Sequence, residues 1–190
     1  MKELNKELKF RTFKNLKVED LYPHILSNDF ACSIDLSKAY FHLPIHSKYQ
    51  KFFSFQFNKV KYHWSSMPFG LSSAPYLFSK VMSEIVEFLR NNFNINIHFY
   101  LDDFIIFNNS KESTQKDSDE CIKLFKNLGL SICYKKSVLE PVSSIVYLGT
   151  LINLQNKTIQ LSEENIRKCI FKTNKILKGK NCIKSNFKVI

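Results

Sequence analysis

Two adjacent carboxylates, Asp102 and Asp103, stand between two short apolar runs, Ile95-Asn96-Ile97-His98-Phe99 and Phe104-Ile105-Ile106-Phe107. Both runs are β-branched or aromatic and lack helical spacing, so each reads as a strand. The simplest structure is a hairpin with Tyr100-Leu101-Asp102-Asp103 at its turn. Packing gives no reason for this arrangement, because neighbouring ionised carboxylates repel unless a positive charge lies between them. An isolated Asp-Asp pair would suit local turn bonding; a third carboxylate argues for more.

The third is Asp35, in Phe30-Ala31-Cys32-Ser33-Ile34-Asp35-Leu36, at the end of another apolar strand. The chain has seven Asp residues, and three of them terminate apolar strands, where Asp is depleted and seldom buried unpaired. Carboxylates gathered at strand ends suit magnesium, a hard cation with oxygen ligands. A pair of such ions can activate an attacking oxygen and stabilise a leaving one in phosphoryl transfer.

Taken with their order and intervals, these segments resemble the palm motifs of reverse transcriptases. The similarity rests on Tyr100-Leu101-Asp102-Asp103, on Asp35-Leu36-Ser37-Lys38-Ala39-Tyr40-Phe41, and on Pro68-Phe69-Gly70-Leu71-Ser72-Ser73-Ala74-Pro75. It extends from about residue 10 to 178, and five motifs in the correct order are far more specific than any one. The stretch DLSKAYFHLPIH, from Asp35 to His46, is most similar to retrotransposons of the DIRS-like group, with gypsy-like elements next. The resemblance implies an α+β fold: a right-hand polymerase palm with a ferredoxin-like antiparallel sheet backed by helices. It implies RNA-directed DNA polymerase activity, with two Mg2+ ions (Mn2+ as substitute), dNTPs, and an RNA or DNA template carrying a DNA primer.

The resemblance also assigns roles. Asp35, Asp102 and Asp103, with the Leu36 carbonyl, would hold the metals. The Lys38 and Ala39 backbone N–H groups would hold triphosphate oxygens. Tyr40 would meet the incoming sugar and exclude a 2′-hydroxyl, and Phe69-Gly70 would line the nucleotide pocket. Lys135 and Lys136 both sit where a lysine protonates the departing pyrophosphate, and Lys136 is favoured. Tyr147-Leu148-Gly149 would form the primer grip. A viral RNA-dependent RNA polymerase fits less well, since Leu101 precedes the paired Asp and Tyr40 supplies a bulky gate. A catalytically inactive nucleic-acid-binding remnant is the alternative.

Composition agrees. The formal net charge of +11 suits a polyanionic partner. Five Cys without a Cys-x-x-Cys pair argue against a disulfide framework. With Pro44 between them, His42 and His46 do not align as a zinc pair. No secretory segment or apolar run of membrane-spanning length is present, so a soluble intracellular protein is expected.

The pattern predicts one or two short helices in residues 1–29 and a strand over 30–36. A hairpin turns on Asn58-Lys59. Helix 74–91 carries the stripe Leu77, Phe78, Val81, Met82, Ile85, Val86 and Leu89, with Pro75 in its first turn. A helix near 112–128 stops at Gly129, strands follow at 130–134, 144–152 and 157–160, and a last helix starts near Ser162. Residues 1–160 are expected to form the palm with partial fingers, and 161–190 a truncated start of the thumb. Lys9, Arg11 and Lys14 are poor substitutes for the cationic triphosphate contacts of complete fingers.

Overall fold

The computed structural model describes residues 2–8, 17–25 and 29–178; Lys9, Arg11, Lys14 and residues 179–190 lie outside it. Helix α1 (Lys2–Glu7) and a 3-10 turn (Val18–His24) precede strand β1 (Phe30–Asp35). A 3-10 turn at Ala39–His42 leads to the short helix α2 (Ser47–Gln50) and the hairpin β2 (Ser54–Phe57) and β3 (Val60–His63). Helix α3 (Ala74–Phe93) is followed by β4 (Asn96–Tyr100) and β5 (Asp103–Asn108), then helix α4 (Lys111–Asn127). Strands β6 (Val138–Val142), β7 (Ser144–Tyr147), β8 (Thr150–Asn153) and β9 (Thr158–Leu161) precede helix α5 (Glu163–Lys178).

β1, β4, β5 and β6 form one antiparallel sheet in the order β4-β5-β1-β6. With α3 between β1 and β4, and α4 between β5 and β6, this is the β-α-β-β-α-β ferredoxin-like arrangement. It is the palm architecture expected from the sequence. β7-β8-β9 form a separate three-stranded sheet, and β2-β3 a third.

The central strand β5 shows why the sheet is rigid. Phe104, Ile105, Ile106 and Phe107 are all fully buried. Because successive side chains point to opposite faces, Phe104 and Ile106 join the core against α3 and α4. Ile105 and Phe107 pack on the other face with Ala31, Leu21, Ile145, Tyr147 and Ile152. β5 is therefore an apolar strand covered on both sides.

α3 covers the first face through Phe78, Met82, Val86 and Leu89. The predicted stripe is wider than the surface it covers, because Leu77 and Val81 are exposed. α4 starts with Ser110, whose hydroxyl accepts from Ser113 N–H, and ends where Leu130 N–H bonds Phe125 O and Gly129 N–H bonds Lys126 O.

Two expectations need correction. Residues 130–134 form no strand: Ile132 makes a single bridge to Leu36, and the chain then turns as Lys136 and Ser137 N–H both bond Cys133 O. The apolar alternation of Leu130 and Ile132 reflects residues reaching inward from a connection. The run 144–152 is two strands, since Leu148 and Gly149 adopt positive φ and fold it into a hairpin. β6, interrupted by Pro141, was not expected.

Phe78 and Leu77 make the packing testable. Phe78→Ala empties a fully buried site and is expected to cost about 3–5 kcal/mol. Leu77→Ala, at 42% exposure, should cost less than about 1 kcal/mol. Urea unfolding of the two variants measures both.

Candidate active site

The antiparallel pairing of β1 with β5 sets Asp35 directly opposite Asp103. Asp103 also pairs with Tyr100 across a two-residue turn, which places Asp102 at the hairpin tip. The turn is tied to β1 by Leu36 N–H, which donates to Asp102 O at 2.9 Å. All three carboxylates are thus gathered at one end of the sheet.

Their electrostatics follow from this geometry. Burial, then the charge of Asp102 and the contact with Asp35, pushes the Asp103 carboxyl up to about 6. Burial also raises Asp102, with Asp35 adding to the effect and Lys136 opposing it. Lys136 Nζ lies 3.4 Å from Asp35 Oδ2, and Asp35 raises its pKa. The exposed ammonium thus serves as partial counterion to the cluster. A general acid would need its pKa lowered toward neutrality, and here the sign is opposite while Asp35 is charged. Lys135 makes no such contact among the described residues, and both side chains are exposed.

Among the described residues, no group of three or more His, Cys, Asp or Glu is arranged to hold a metal ion. Asp35 and Asp103 are, however, in side-chain contact and Asp102 adjoins them at the turn, so oxygens of all three carboxylates lie together where a cation could be held. That donor set fits magnesium, which is commonly bound by one or two carboxylates with substrate phosphates and water completing the shell. The Asp102 and Asp103 carboxyls are raised first by burial and then by neighbouring carboxylate charge.

Tyr40 is half-buried beside this cluster: burial and then Asp102 raise its hydroxyl. Its ring meets Phe69 edge-on at 5.2 Å and Phe78 at 5.6 Å. The structure therefore brings Tyr40 and Phe69 together, with Phe69 largely exposed. Gly70 has φ +83, and a Cβ there would meet open space, so backbone conformation is what favours glycine. Lys38 is in the left-handed region and exposed, while Ala39 is buried. Leu36 is buried.

Tyr147 is buried, and its hydroxyl donates to Asp103 O at 2.9 Å. It supports the carboxylate hairpin from beneath. Leu148 and Gly149 form the β7-β8 turn, and Asn165 Nδ2 donates to Gly149 O at 2.9 Å. A Cβ at Gly149 would displace the Asn165 amide, and φ +74 itself favours glycine.

Three positioning residues escaped the sequence reading. Asn5 clamps the Gly70–Ser72 loop, donating to Gly70 O and accepting from Ser72 N–H. His42 Nε2 accepts from Ser131 N–H, so its protonated Nδ1 donates to Ala39 O, joining the turn after Asp35 to the segment before Lys136. Ser137 Oγ accepts from Asp35 N–H at 3.0 Å. All three are contacts between segments distant in the chain, with no local signature. By contrast, Asp35, Asp102, Asp103 and Tyr40 stand in segments with a signature of their own.

Residues 5–152 match the family described as reverse transcriptase (RNA-dependent DNA polymerase). The chain belongs to that family. It is 30% identical over 126 residues to the Gag-Pol polyprotein of Walleye dermal sarcoma virus, covering 66% of this chain and 7% of that protein. It is 26% identical over 144 residues to Protein P of Heron hepatitis B virus, covering 76% of this chain and 18% of that one. The chain thus spans less than a fifth of either relative. Among solved structures, a foamy viral protease-reverse transcriptase in complex with RNA/DNA hybrid superposes with TM-score 0.73 at 23% identity, covering 88% of this chain and 22% of the other. The same protein with double-stranded DNA gives TM-score 0.74 at 22% identity, covering 92% and 37%. At that identity the structural likeness establishes the reverse transcriptase palm fold. No helix among the described residues is long and apolar enough to cross a membrane.

The Asp103 shift carries a stability signature. Its folded pKa, about 6, exceeds the ordinary 3.8, so between those values the folded state keeps a proton the unfolded state has released. Stability should then fall as pH rises through that window, by about 1 kcal/mol after solvent screening is discounted. Asp103→Asn should flatten the slope and raise the melting temperature at pH 7, as read by thermal denaturation from pH 4 to about 7.

Proposed function

We propose that this chain is the palm-bearing segment of a retroelement's RNA-directed DNA polymerase, adding deoxynucleotides to a primer 3′-hydroxyl on an RNA or DNA template. One observation carries the reading: the β1-β5 register that sets Asp35 against Asp103 beside the Asp102 turn. Family membership supports it. Two Mg2+ ions, or Mn2+, held by Asp35 and Asp102 with the Leu36 carbonyl and with Asp103 in support, would supply activation of the attacking oxygen and neutralisation of phosphate charge.

The chain's own residues do the rest. Tyr40, held by Phe69 and Phe78, presents its ring beside Asp102, where a ribose 2′-hydroxyl would meet it. Phe69 and the Gly70 turn wall the nucleotide pocket, and Asn5 fixes that turn. The Lys38 and Ala39 N–H groups serve the triphosphate, a use of main-chain donors known at anion sites. Lys136 is the proton donor to pyrophosphate; its proton leaves more readily once the Asp35 charge is taken up elsewhere. Tyr147 holds the carboxylate hairpin while the Leu148-Gly149 turn grips the primer.

Residues 1–160 are assigned to the palm with partial fingers, and 161–190 to the start of a thumb. The exposed Ile166, Ile170 and Ile176 of α5 support that division, because they set this helix apart from the buried core of the palm. The DLSKAYFHLPIH stretch favours the DIRS-like group over gypsy-like elements.

Asp35→Asn or Asp102→Asn, placed in a chain with fingers and thumb complete, is expected to lower primer extension about a thousandfold or more. Near-parental extension by either variant would refute the assignment. Tyr40→Ala should reduce the ratio of kcat/KM for a deoxynucleotide to that for its ribonucleotide, since selectivity is a difference of transition-state energies. An unchanged ratio would return Tyr40 to a purely packing role.

A further inference from the structure

Two segments of the site come from distant parts of the chain: the turn after Asp35, which carries Lys38, Ala39 and Tyr40, and the connection 130–137, which carries Lys136. Main-chain bonds join them at the base of the turn, where Ser37 N–H donates to Ser131 O at 2.7 Å and Cys133 N–H donates to Asp35 O at 2.8 Å. Farther along, at the 3-10 turn Ala39–His42, the link is a side chain. His42 Nε2 accepts from Ser131 N–H at 3.0 Å, across 89 residues of sequence, and His42 Nδ1 lies 3.0 Å from Ala39 O.

Both partners are main-chain groups of fixed role, and together they settle the state of the ring. An amide N–H only donates and a carbonyl only accepts, so Nε2 is bare and Nδ1 carries the proton. The turn itself does not need the bond to Ser131, because Phe41 N–H to Lys38 O and Leu43 N–H to Tyr40 O already close it. What that bond adds is a fixed relation between the Ala39–Tyr40 peptide, which mounts the Tyr40 ring, and Ser131, five residues before Lys136. The Lys136 ammonium is exposed and 3.4 Å from Asp35 Oδ2, longer than a charge-assisted hydrogen bond. Its position therefore depends on the backbone beneath it.

We propose that His42 is a positioning residue for proton delivery: its two hydrogen bonds couple the nucleotide turn to the connection bearing Lys136, holding the triphosphate contacts and the proton donor in register. This rests on the polymerase reading, in which Lys136 protonates pyrophosphate, and names the side chain that acts through it. A local role, capping the 3-10 turn through Ala39 O alone, is the competing reading, and the two bonds can be removed separately.

His42→Asn puts an amide nitrogen near Nδ1 and keeps the bond to Ala39 O, whereas His42→Gln puts an amide oxygen near Nε2 and keeps acceptance from Ser131 N–H. In the 190-residue chain, NMR of the ring nitrogens should show His42 neutral, with the proton on Nδ1; this reading needs no variant to fold. Ser131 amide exchange should be slow in the parent and in His42→Gln, and faster in His42→Asn. With fingers and thumb complete, His42→Asn should lower kcat for nucleotide addition about fivefold, the effect of one neutral hydrogen bond, and leave the nucleotide KM within about twofold. His42→Gln should recover most of kcat. In a Lys136→Ala background His42→Asn should cost nothing further, because it acts through that lysine. A proton on Nε2, loss in His42→Gln with parental kcat in His42→Asn, or the same fivefold loss without Lys136 would each overturn the proposal. Unchanged extension in Asp35→Asn would overturn the polymerase reading and this proposal with it. Abolished extension there, with parental kcat in His42→Asn, would overturn this proposal alone.

Discussion

The pairing of β1 with β5 is the constraint on which the rest of this molecule depends. It forces Asp35 and Asp103 into opposition at one end of a sheet whose central strand is buried on both faces. Burial first, and then the neighbouring Asp102 and Asp35 carboxylates, disfavour charge on Asp103 there. The strands cannot slip to relieve it. A one-residue shift would turn Phe104 and Ile106 toward the opposite face and exchange them with Ile105 and Phe107. The apolar strand interior therefore holds together a charged end that would otherwise separate.

Everything around the carboxylates serves to hold that end in place. Tyr147 reaches from the smaller sheet to the Asp103 carbonyl, Leu36 N–H closes the turn onto β1, and Ser137 and Cys133 bond the Asp35 backbone. The exposed Lys136 ammonium stands 3.4 Å from the Asp35 carboxylate. The backbone at this end is thus tied to β1, to the smaller sheet and to the segment before Ser137. This division, rigid main chain and incompletely compensated side chains, is expected of a site whose last ligands come with its substrate.

What could be read in advance divides along physical lines. The carboxylate hairpin, α3, α4 and the Asn58-Lys59 turn were legible because their signals are local: alternation, helical spacing, a cap, a turn dipeptide. The ferredoxin-like order followed only through resemblance, since nothing local pairs β1 with both β5 and β6. β6 was missed because Pro141 interrupts its pattern, and residues 130–134 were over-read because inward-facing residues alternate in a tethered connection as they do in a strand. At the site, Asp35, Asp102, Asp103 and Tyr40 carry their own sequence context. Asn5 and His42 have none, because each acts on a segment more than sixty residues away.

The turns extend this division between local rule and global use. The β2-β3 hairpin places Asn58 and Lys59 at positive φ, and the β7-β8 hairpin does the same with Leu148 and Gly149. The carboxylate hairpin puts Leu101 at φ +54, with Asp102 absent from the positive-φ residues among those described. A positive φ at the first turn position alone normally selects glycine. A leucine there costs on the order of 1–3 kcal/mol and persists only where the surroundings over-determine the backbone. β4 and β5 supply that over-determination through Ile97, Phe104 and Ile106, which cannot leave the core to relax the turn. A glycine would fit the φ with less strain, but it would also free the backbone on which Asp102 is mounted. The strained leucine and the buried strands thus act together, giving the half-buried Asp102 carboxylate at the hairpin tip a fixed position.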